Sequence, residues 1–262
     1  ALRRTGYATS VVNLSARPAR LLDVVQGRSG TVLATWLECR AQAWRDGIKI
    51  AALDSFRGYA NALATCLPGA VRVLDAFGVV QLGIAVIDEV RRRVQQEQLG
   101  RRGHKDDPLY RIRRLLTCDP ATLTDRHLSK LDEALALGDP DGIVEIAWRA
   151  VNKMAATYRA DTPTARLAAA TWALDVLHTC PIPEVARLGR TLRAWRSEFL
   201  AYHNTGRASN GPTRRAAKVG DLHPSALPVQ GACRSIGITQ TPDLPVDAAP
   251  AASAILQQCP AI

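Results

Sequence analysis

The strongest constraint on this fold comes from two short apolar runs, each followed directly by an aspartate. Ile48–Leu53 precedes Asp54, and Ala70–Leu74 precedes Asp75. Between them, residues 59–67 carry apolar side chains at helical spacing, which predicts a helix. Buried strands that alternate with helices pair in parallel, so the pattern predicts an α/β core.

The residues on either side extend this core. Residues 7–14 and 21–25 are β-prone and flank a turn that contains Pro18, so they predict an antiparallel hairpin. Helical spacing follows Gly30, and a long helix is predicted from about Val79 to Gln98. Beyond Gly103 only helical patterns occur, and the last runs from Pro183 to about Tyr202.

The organisation predicted from these patterns has four parts: an α/β core over 1–103, an all-α insertion over 104–182, a helix returning to the core over 183–213, and a tail over 214–262. The tail has no Phe, Trp or Tyr and contains six of the fifteen prolines. A segment with few large apolar residues buries too little surface to fold, so we expect the tail to be disordered.

Charge, hydropathy and cysteine spacing indicate what kind of partner and which cell compartment to expect. A formal net charge of +10 and a pI of about 9.8 favour a polyanionic partner such as nucleic acid. No run approaches the roughly 20 apolar residues of a membrane span, and no export signal is recognisable. The six cysteines never take zinc-ligand spacing, so we interpret them as reduced thiols of a cytoplasmic protein with no membrane partner.

Asp54 and Asp75 are the candidate site residues. Open α/β sheets bind ligands at the carboxyl ends of their strands, where both aspartates lie if the strands are neighbours. Two carboxylates in one crevice repel each other unless a proton or a divalent cation such as Mg²⁺ lies between them. The alternative is an aspartate that caps the following helix, and the spacing leaves both interpretations open.

Several segments resemble the ISL3-family transposases of insertion sequences. The clearest are Ala51-Ala-Leu-Asp-Ser-Phe-Arg-Gly-Tyr59, Val71-Arg-Val-Leu-Asp-Ala-Phe77 and Asp88-Glu-Val-Arg-Arg-Arg-Val-Gln-Gln96. The likeness continues through Leu21-Leu-Asp-Val-Val-Gln-Gly-Arg-Ser29, Asp107-Pro-Leu-Tyr-Arg-Ile-Arg-Arg-Leu-Leu116, Leu188-Gly-Arg-Thr-Leu-Arg193 and Ser209-Asn-Gly-Pro-Thr213. It covers roughly residues 5 to 213.

The resemblance implies an RNase H-like fold in which two aspartates and a glutamate, the DDE set, hold Mg²⁺ or Mn²⁺. Such proteins cleave phosphodiester bonds and transfer DNA strands during DNA transposition, a form of DNA recombination. On this basis Asp54 is the second aspartate. Asp75 matches an Asp-x-Phe-His segment of the family, with Gly78 in place of the histidine.

The other two acids of the set are not found. The first aspartate belongs on a strand ahead of the hairpin, and this chain begins at Ala1, after that position; Asp23 lies on a later strand and is no substitute. The third acid should follow Thr213, where Arg214 stands, and no glutamate occurs after Glu198. A reading-frame shift near residue 214 is our hypothesis for this break.

We therefore expect an incomplete RNase H-like core. A further possibility is a barely stable product, because losing the first strand would leave a neighbouring strand unpaired, which invites aggregation. The predicted function is that of an insertion-sequence transposase acting on transposon ends, in the form of an inactive remnant. The alternative is a non-catalytic fragment that binds DNA, self-associates or pairs with an intact transposase. The basic segment 91–114 is a candidate for phosphate contacts, against the alternative of a solvated helix face.

Overall fold

The computed structural model describes residues 7–15, 19–208 and 233–240. The chain divides into two compact units. The sheet unit comprises residues 1–78 and 197–262, and the helical unit comprises residues 79–196. The boundaries between the two units follow residues 78 and 196. The boundaries predicted from the sequence follow residues 103, 182 and 213. The four-part division stays a prediction.

Five strands form one mixed sheet in the sheet unit. They are β1 (Ala8–Asn13), β2 (Arg20–Gln26), β3 (Ile48–Leu53), β4 (Val71–Leu74) and β5 (Cys233–Gln240). Their order across the sheet is β2-β1-β5-β3-β4. The predicted hairpin of β1 and β2 is confirmed as antiparallel, and the predicted parallel pairing of β3 with β4 is confirmed as well. The three residues 16–18 of the hairpin turn lie outside the described residues.

The apolar pattern accounts for the position of each strand. All six residues of β1 are buried, whereas the residues of β2, at the edge of the sheet, are either exposed or half-buried. Ala51, Ala52 and Leu53 of β3 are inaccessible to solvent. A strand that is buried on both faces reads as a continuous apolar run, which is the pattern that identified β3 in the sequence.

Strand β5 corrects the prediction of a disordered tail for residues 233–240. It pairs in parallel with β1 and antiparallel with β3, so it lies in the middle of the sheet. Ile236 and Ile238 are each 1% exposed. Pairing on both edges satisfies the backbone of this segment, although its sequence has few apolar residues. The rest of the predicted tail lies outside the described residues.

The helices of the sheet unit connect these strands. They are α1 (Gly30–Glu38), α2 (Gln42–Asp46), α3 (Arg57–Cys66), the start of α4 (Ala76–Leu99) and most of α10 (Arg196–Asn204). Ser29 caps α1 by accepting a hydrogen bond from the Val32 N–H. The strand–helix–strand order predicted for residues 48–74 is therefore confirmed, and the chain has a mixed α/β fold consistent with a partial RNase H-like fold.

The helical unit contains no strand in its 118 residues, all of which are described. Its helices are the remainder of α4, then α5 (Pro108–Arg111), α6 (Asp125–Gly138), α7 (Ile143–Arg159), α8 (Pro163–Val176) and α9 (Pro183–Ala194). The single helix predicted from Pro183 to about Tyr202 is wrong in one respect. Trp195 has φ −112° and ψ 24°, which ends α9 before α10 begins. None of the described helices is long and apolar enough to cross a membrane.

Candidate metal-binding site

Asp54 and Asp75 lie side by side at one edge of the sheet. The register of β3 and β4 pairs Leu53 with Leu74, so the residue that follows each strand emerges at the same carboxyl edge. The Asp75 N–H also donates a 2.8 Å hydrogen bond to the Leu53 carbonyl. The parallel pairing predicted from the sequence thus brings the two candidate residues together.

Gly78 lies between the two carboxylates. A Cβ atom built on Gly78 would be 3.7 Å from Asp54 Oδ1 and 3.7 Å from Asp75 Oδ2. The two oxygens are therefore separated by no more than twice that distance. The sequence interpretation treated Gly78 only as a lost histidine, but in the structure any side chain at this position would contact both acids.

Asp75 also caps α4. Its Oδ2 atom accepts a 3.0 Å hydrogen bond from the Gly78 N–H, and the residue is 1% exposed. An aspartate at this position satisfies a helix N–H that has no partner within the helix. The capping alternative therefore holds for Asp75. A carboxylate has two oxygens and about four lone-pair sites, so capping leaves it able to bind a cation as well.

The segment that follows Asp54 is held firmly in place. The Phe56 N–H donates a 2.6 Å hydrogen bond to the Asp54 carbonyl, and the Phe56 ring packs edge-on against Tyr59 with 5.1 Å between ring centroids. The buried Tyr59 hydroxyl hydrogen-bonds Thr9 Oγ1 at 2.5 Å. Asp54 itself is half-buried. A carboxylate on a packed segment of this kind is pre-positioned for a ligand.

Gly58, in the segment after Asp54, packs closely against Gly30, and this contact explains why glycine occurs at the start of α1. A Cβ atom on Gly30 would lie 2.4 Å from the Gly58 carbonyl oxygen, and one on Gly58 would lie 2.5 Å from the Phe56 ring. The Gly30 distance is to backbone and is too short for any side chain, whereas a side chain on Gly58 would require the Phe56 ring to move. The start of α1 therefore approaches the start of α3 at a point that only glycine permits.

Two carboxylates and their hard oxygen donors suit a single Mg²⁺ or Mn²⁺ ion. Within residues 7–15, 19–208 and 233–240 no group of three or more His, Cys, Asp or Glu side chains converges on a point that could hold a metal. The described residues therefore fit a site with two protein ligands and do not assemble the three-acid set. Arg214, at the position of the expected third acid, lies outside the described residues.

Glu198 is the buried glutamate of the sheet unit, and its contacts keep it away from the aspartate pair. Its Oε1 atom accepts from Arg72 Nε at 3.3 Å, and its Oε2 atom accepts from Ser197 Oγ at 2.7 Å. Among the described residues no three acidic side chains converge on a point that could hold a metal, so Glu198 does not join the aspartate pair. Glu198 thus serves an ion pair.

Asp23 likewise has hydrogen-bond partners away from Asp54 and Asp75. It lies on β2, separated from β3 by two other strands, and accepts a 2.7 Å hydrogen bond from Trp36 Nε1. Arg40 approaches the same oxygen at 3.4 Å and stacks over the Trp36 ring at 4.3 Å. Burial lowers the pKa of the Arg40 guanidinium, and the Asp23 charge partly offsets this effect.

The first three arginines of the basic segment proposed for phosphate contacts form ion pairs in the helical unit. Arg91 is buried and pairs with Asp88, and Arg92 pairs with the same aspartate. Arg93 binds Glu184 at 2.6 Å, and this hydrogen bond is the main cause of the lowered pKa of Glu184. These three arginines already have acidic partners inside the unit, and the phosphate-contact interpretation of the segment stays a prediction.

Comparison with known proteins identifies the family. A family model described as a transposase, the ISL3 type of DDE transposase, matches residues 1–214. No curated protein and no solved structure matches the chain. The matched region contains both strand–aspartate junctions and the whole helical unit, so it covers most of the chain. The chain therefore belongs to the ISL3 family of DDE transposases.

Proposed function

We propose that this chain is the core of an insertion-sequence transposase in which Asp54 and Asp75 bind one divalent cation, and that it does not cut DNA by itself. The observation that carries the proposal is the pair of carboxylates on either side of Gly78, at the ends of the parallel strands β3 and β4. Membership of the ISL3 family supplies the reaction class, DNA transposition. The partner of the chain would be transposon-end DNA, and the compartment would be the cytoplasm.

In the two-metal chemistry of the family, a single bound Mg²⁺ or Mn²⁺ ion would supply one of two roles, activation of the attacking oxygen or stabilisation of the leaving oxygen. The role of the chain is to hold the two ligands. Asp75 is fixed by its bond to the Gly78 N–H, and Asp54 is fixed through the Phe56 N–H on its carbonyl. Gly78, which has no side chain, adds no bulk beside either carboxylate.

The proposed lack of strand cleavage rests on the missing third carboxylate. The two-metal reaction needs enough negative ligands to hold both ions, and Arg214 places a positive charge where the family pattern expects a glutamate. A guanidinium cannot ligate a cation. Losing one acid of a preorganised charged site costs on the order of a hundredfold or more in rate.

A second candidate is a non-catalytic fragment that binds DNA or pairs with an intact transposase. It is supported by the net charge of +10 and by the capping bond of Asp75, which gives this aspartate a structural role even without metal. The two candidates share DNA as a partner. They differ in whether the carboxylate pair binds a cation.

A nicking assay tests the proposed lack of cleavage. The full chain is incubated with supercoiled plasmid that carries insertion-sequence ends, in Mn²⁺ and separately in Mg²⁺, beside the Asp54→Asn variant. We expect the two proteins to give the same background of nicked plasmid. Nicking by the unchanged chain that disappears in Asp54→Asn would show that the chain cuts DNA and would overturn this part of the proposal.

A further inference from the structure

Helix α9 exposes a row of arginines in the helical unit. Arg187, Arg190 and Arg193 are exposed and recur every third residue, whereas Val185 and Leu192 are inaccessible to solvent on the other side of the helix. Side chains three apart on a helix are neighbours, with about 5–6 Å between their Cβ atoms. These three arginines, here called the α9 row, therefore form one continuous strip of positive charge.

Most of this charge is not neutralised locally. Arg187 pairs with Glu89 at 2.5 Å. By contrast, Arg190 and Arg193 have no ion pair and no side-chain hydrogen bond within the part of the chain that the structure describes. The single acid of α9, Glu184, is buried in its pair with Arg93. Every exposed ionisable residue of α9 is thus a cation.

On α4, α6 and α7 of the same unit, exposed cations occur together with acidic residues. Arg92 pairs with Asp88, and Arg149 pairs with Glu145 one turn earlier on α7. Helix α6 exposes acids together with its cations: Asp125, Arg126, Lys130, Asp132 and Glu133. A solvated helix face normally mixes the two signs in this way. A favourable interaction with the helix dipole suits Arg193 in the last turn but does not account for the whole row.

The helix is also rigidly anchored, which matters for binding. Arg93 donates to both oxygens of Glu184, at 2.6 and 3.2 Å, and Arg187 donates to Glu89 from one turn further along. A Cβ atom on Gly189 would lie 2.2 Å from the His178 backbone nitrogen, so α9 packs tightly against its neighbour. Cations on such a fixed backbone lose less conformational freedom on binding than cations on a loop.

We propose that the α9 row contacts the phosphate backbone of double-stranded DNA, through Arg190 and Arg193 above all. This inference rests on the proposed function and deepens it, because it assigns the DNA partner to a surface of the helical unit. Arginine matches phosphate geometry with two parallel N–H donors, and each neutralised phosphate releases counterions. Contacts of this kind position a duplex without reading its sequence.

The test measures binding of a labelled duplex of arbitrary sequence, about thirty base pairs long, by fluorescence anisotropy over a range of salt concentrations. The full chain is compared with the double variant Arg190→Ala/Arg193→Ala. The matched control, Arg92→Ala/Arg149→Ala, removes two exposed arginines of the same unit that are paired with acids. Thermal unfolding of each protein checks that it remains folded, and alanine at the unpaired positions should not destabilise α9.

We expect the row variant to bind on the order of tenfold or more weakly near 0.1 M salt, and to lower the slope of log affinity against log salt by about two. The control should keep the affinity and slope of the unchanged chain. Equal losses in both variants, or no loss in the row variant, would overturn the α9 surface while leaving DNA binding intact. If the unchanged chain binds no duplex at all, DNA binding in the proposed function fails together with this surface.

Discussion

At the residue scale, the carboxylate of Asp75 has two roles, helix capping and the proposed cation binding, and substitutions can separate them. Its Oδ2 atom caps α4 through the Gly78 N–H, and the same carboxylate faces the space that it shares with Asp54. Asparagine caps a helix about as well as aspartate does, but it is neutral and binds a hard cation poorly. Alanine removes both properties.

We predict that Asp75→Ala lowers the free energy of unfolding by about 1 kcal/mol, whereas Asp75→Asn leaves it nearly unchanged. Urea denaturation of the three proteins in metal-free buffer measures the difference. Asp75→Asn is the control for Asp75→Ala, since it removes the charge but keeps the capping oxygen. A loss in Asp75→Asn as large as that in Asp75→Ala would mean that the charge, rather than the cap, stabilises the start of α4.

Asp107 gives a prediction about pH. Arg101 donates to both of its oxygens, at 2.7 and 2.8 Å, and with the His104 N–H lowers the pKa of Asp107 to about 2. In the unfolded chain an aspartate has a pKa near 3.9. Between these values the unfolded state takes up a proton that the folded state does not, so this stabilisation is present above about pH 4 and is lost as pH falls towards 2.

Asp107→Asn should therefore be less stable than the unchanged chain at pH 7, and the difference should shrink between about pH 4 and pH 2. Thermal unfolding at several pH values across that window measures it. The exposed Asp132→Asn serves as a control without an ion pair among the described residues. A difference that stays constant down to pH 2 would contradict the ion pair as the source of stability.

The proximity of Asp54 and Asp75 could be predicted from the sequence, but their individual contacts could not. Asp54 and Asp75 were found because an apolar run before an aspartate is a local pattern, and the parallel register then brings them together. Whether Asp75 caps a helix depends on one hydrogen bond that spacing does not encode. The burial of Arg91 was missed for a similar reason, since three consecutive arginines resemble a surface segment until their packing is known.

At the scale of elements, β5 holds the sheet together. The inner edges of β1 and β3 do not pair with each other, and both pair with β5. The expectation that a neighbour of the missing strand stays unpaired is therefore wrong for these two strands. A strand with both edges paired presents no open template for aggregation, because its N–H and C=O groups are already satisfied.

We predict that Ile236→Ala lowers the free energy of unfolding by about 2–4 kcal/mol, because it removes a buried side chain from the central strand. Val24→Ala is the matched control. Val24 is also β-branched but is 46% exposed on the edge strand β2, so its loss should cost less than about 1 kcal/mol. Urea denaturation measures both. Equal small effects would contradict the central position of β5.

The longer helices and the first four strands were predictable because their signals are local. β5 was not, because its few apolar residues, Ile236 and Ile238, are separated by a glycine and surrounded by a proline-rich sequence. Its stability comes from partners nearly two hundred residues away or more. The end of α9 at Trp195 was missed because the apolar spacing continues across the break.

At the scale of the whole molecule, family membership and site geometry support different parts of the account. The family match over residues 1–214 makes the chain an ISL3 transposase by descent. The geometry adds two carboxylates that flank Gly78 and a cationic row on α9. The central claim is that the carboxylate pair still binds a divalent cation, since this distinguishes a metal-binding transposase core from a fragment that binds only DNA.

A Mn²⁺ titration of the full chain, followed by electron paramagnetic resonance of the free ion, tests that claim most directly. The unchanged chain is compared with Asp54→Asn/Asp75→Asn and with Asp132→Asn/Glu133→Gln, which removes the same charge from exposed positions on α6. We predict one bound ion for the unchanged chain and for the control, and at least about tenfold weaker binding for the site variant. Identical binding by all three proteins would contradict a metal site at Asp54 and Asp75.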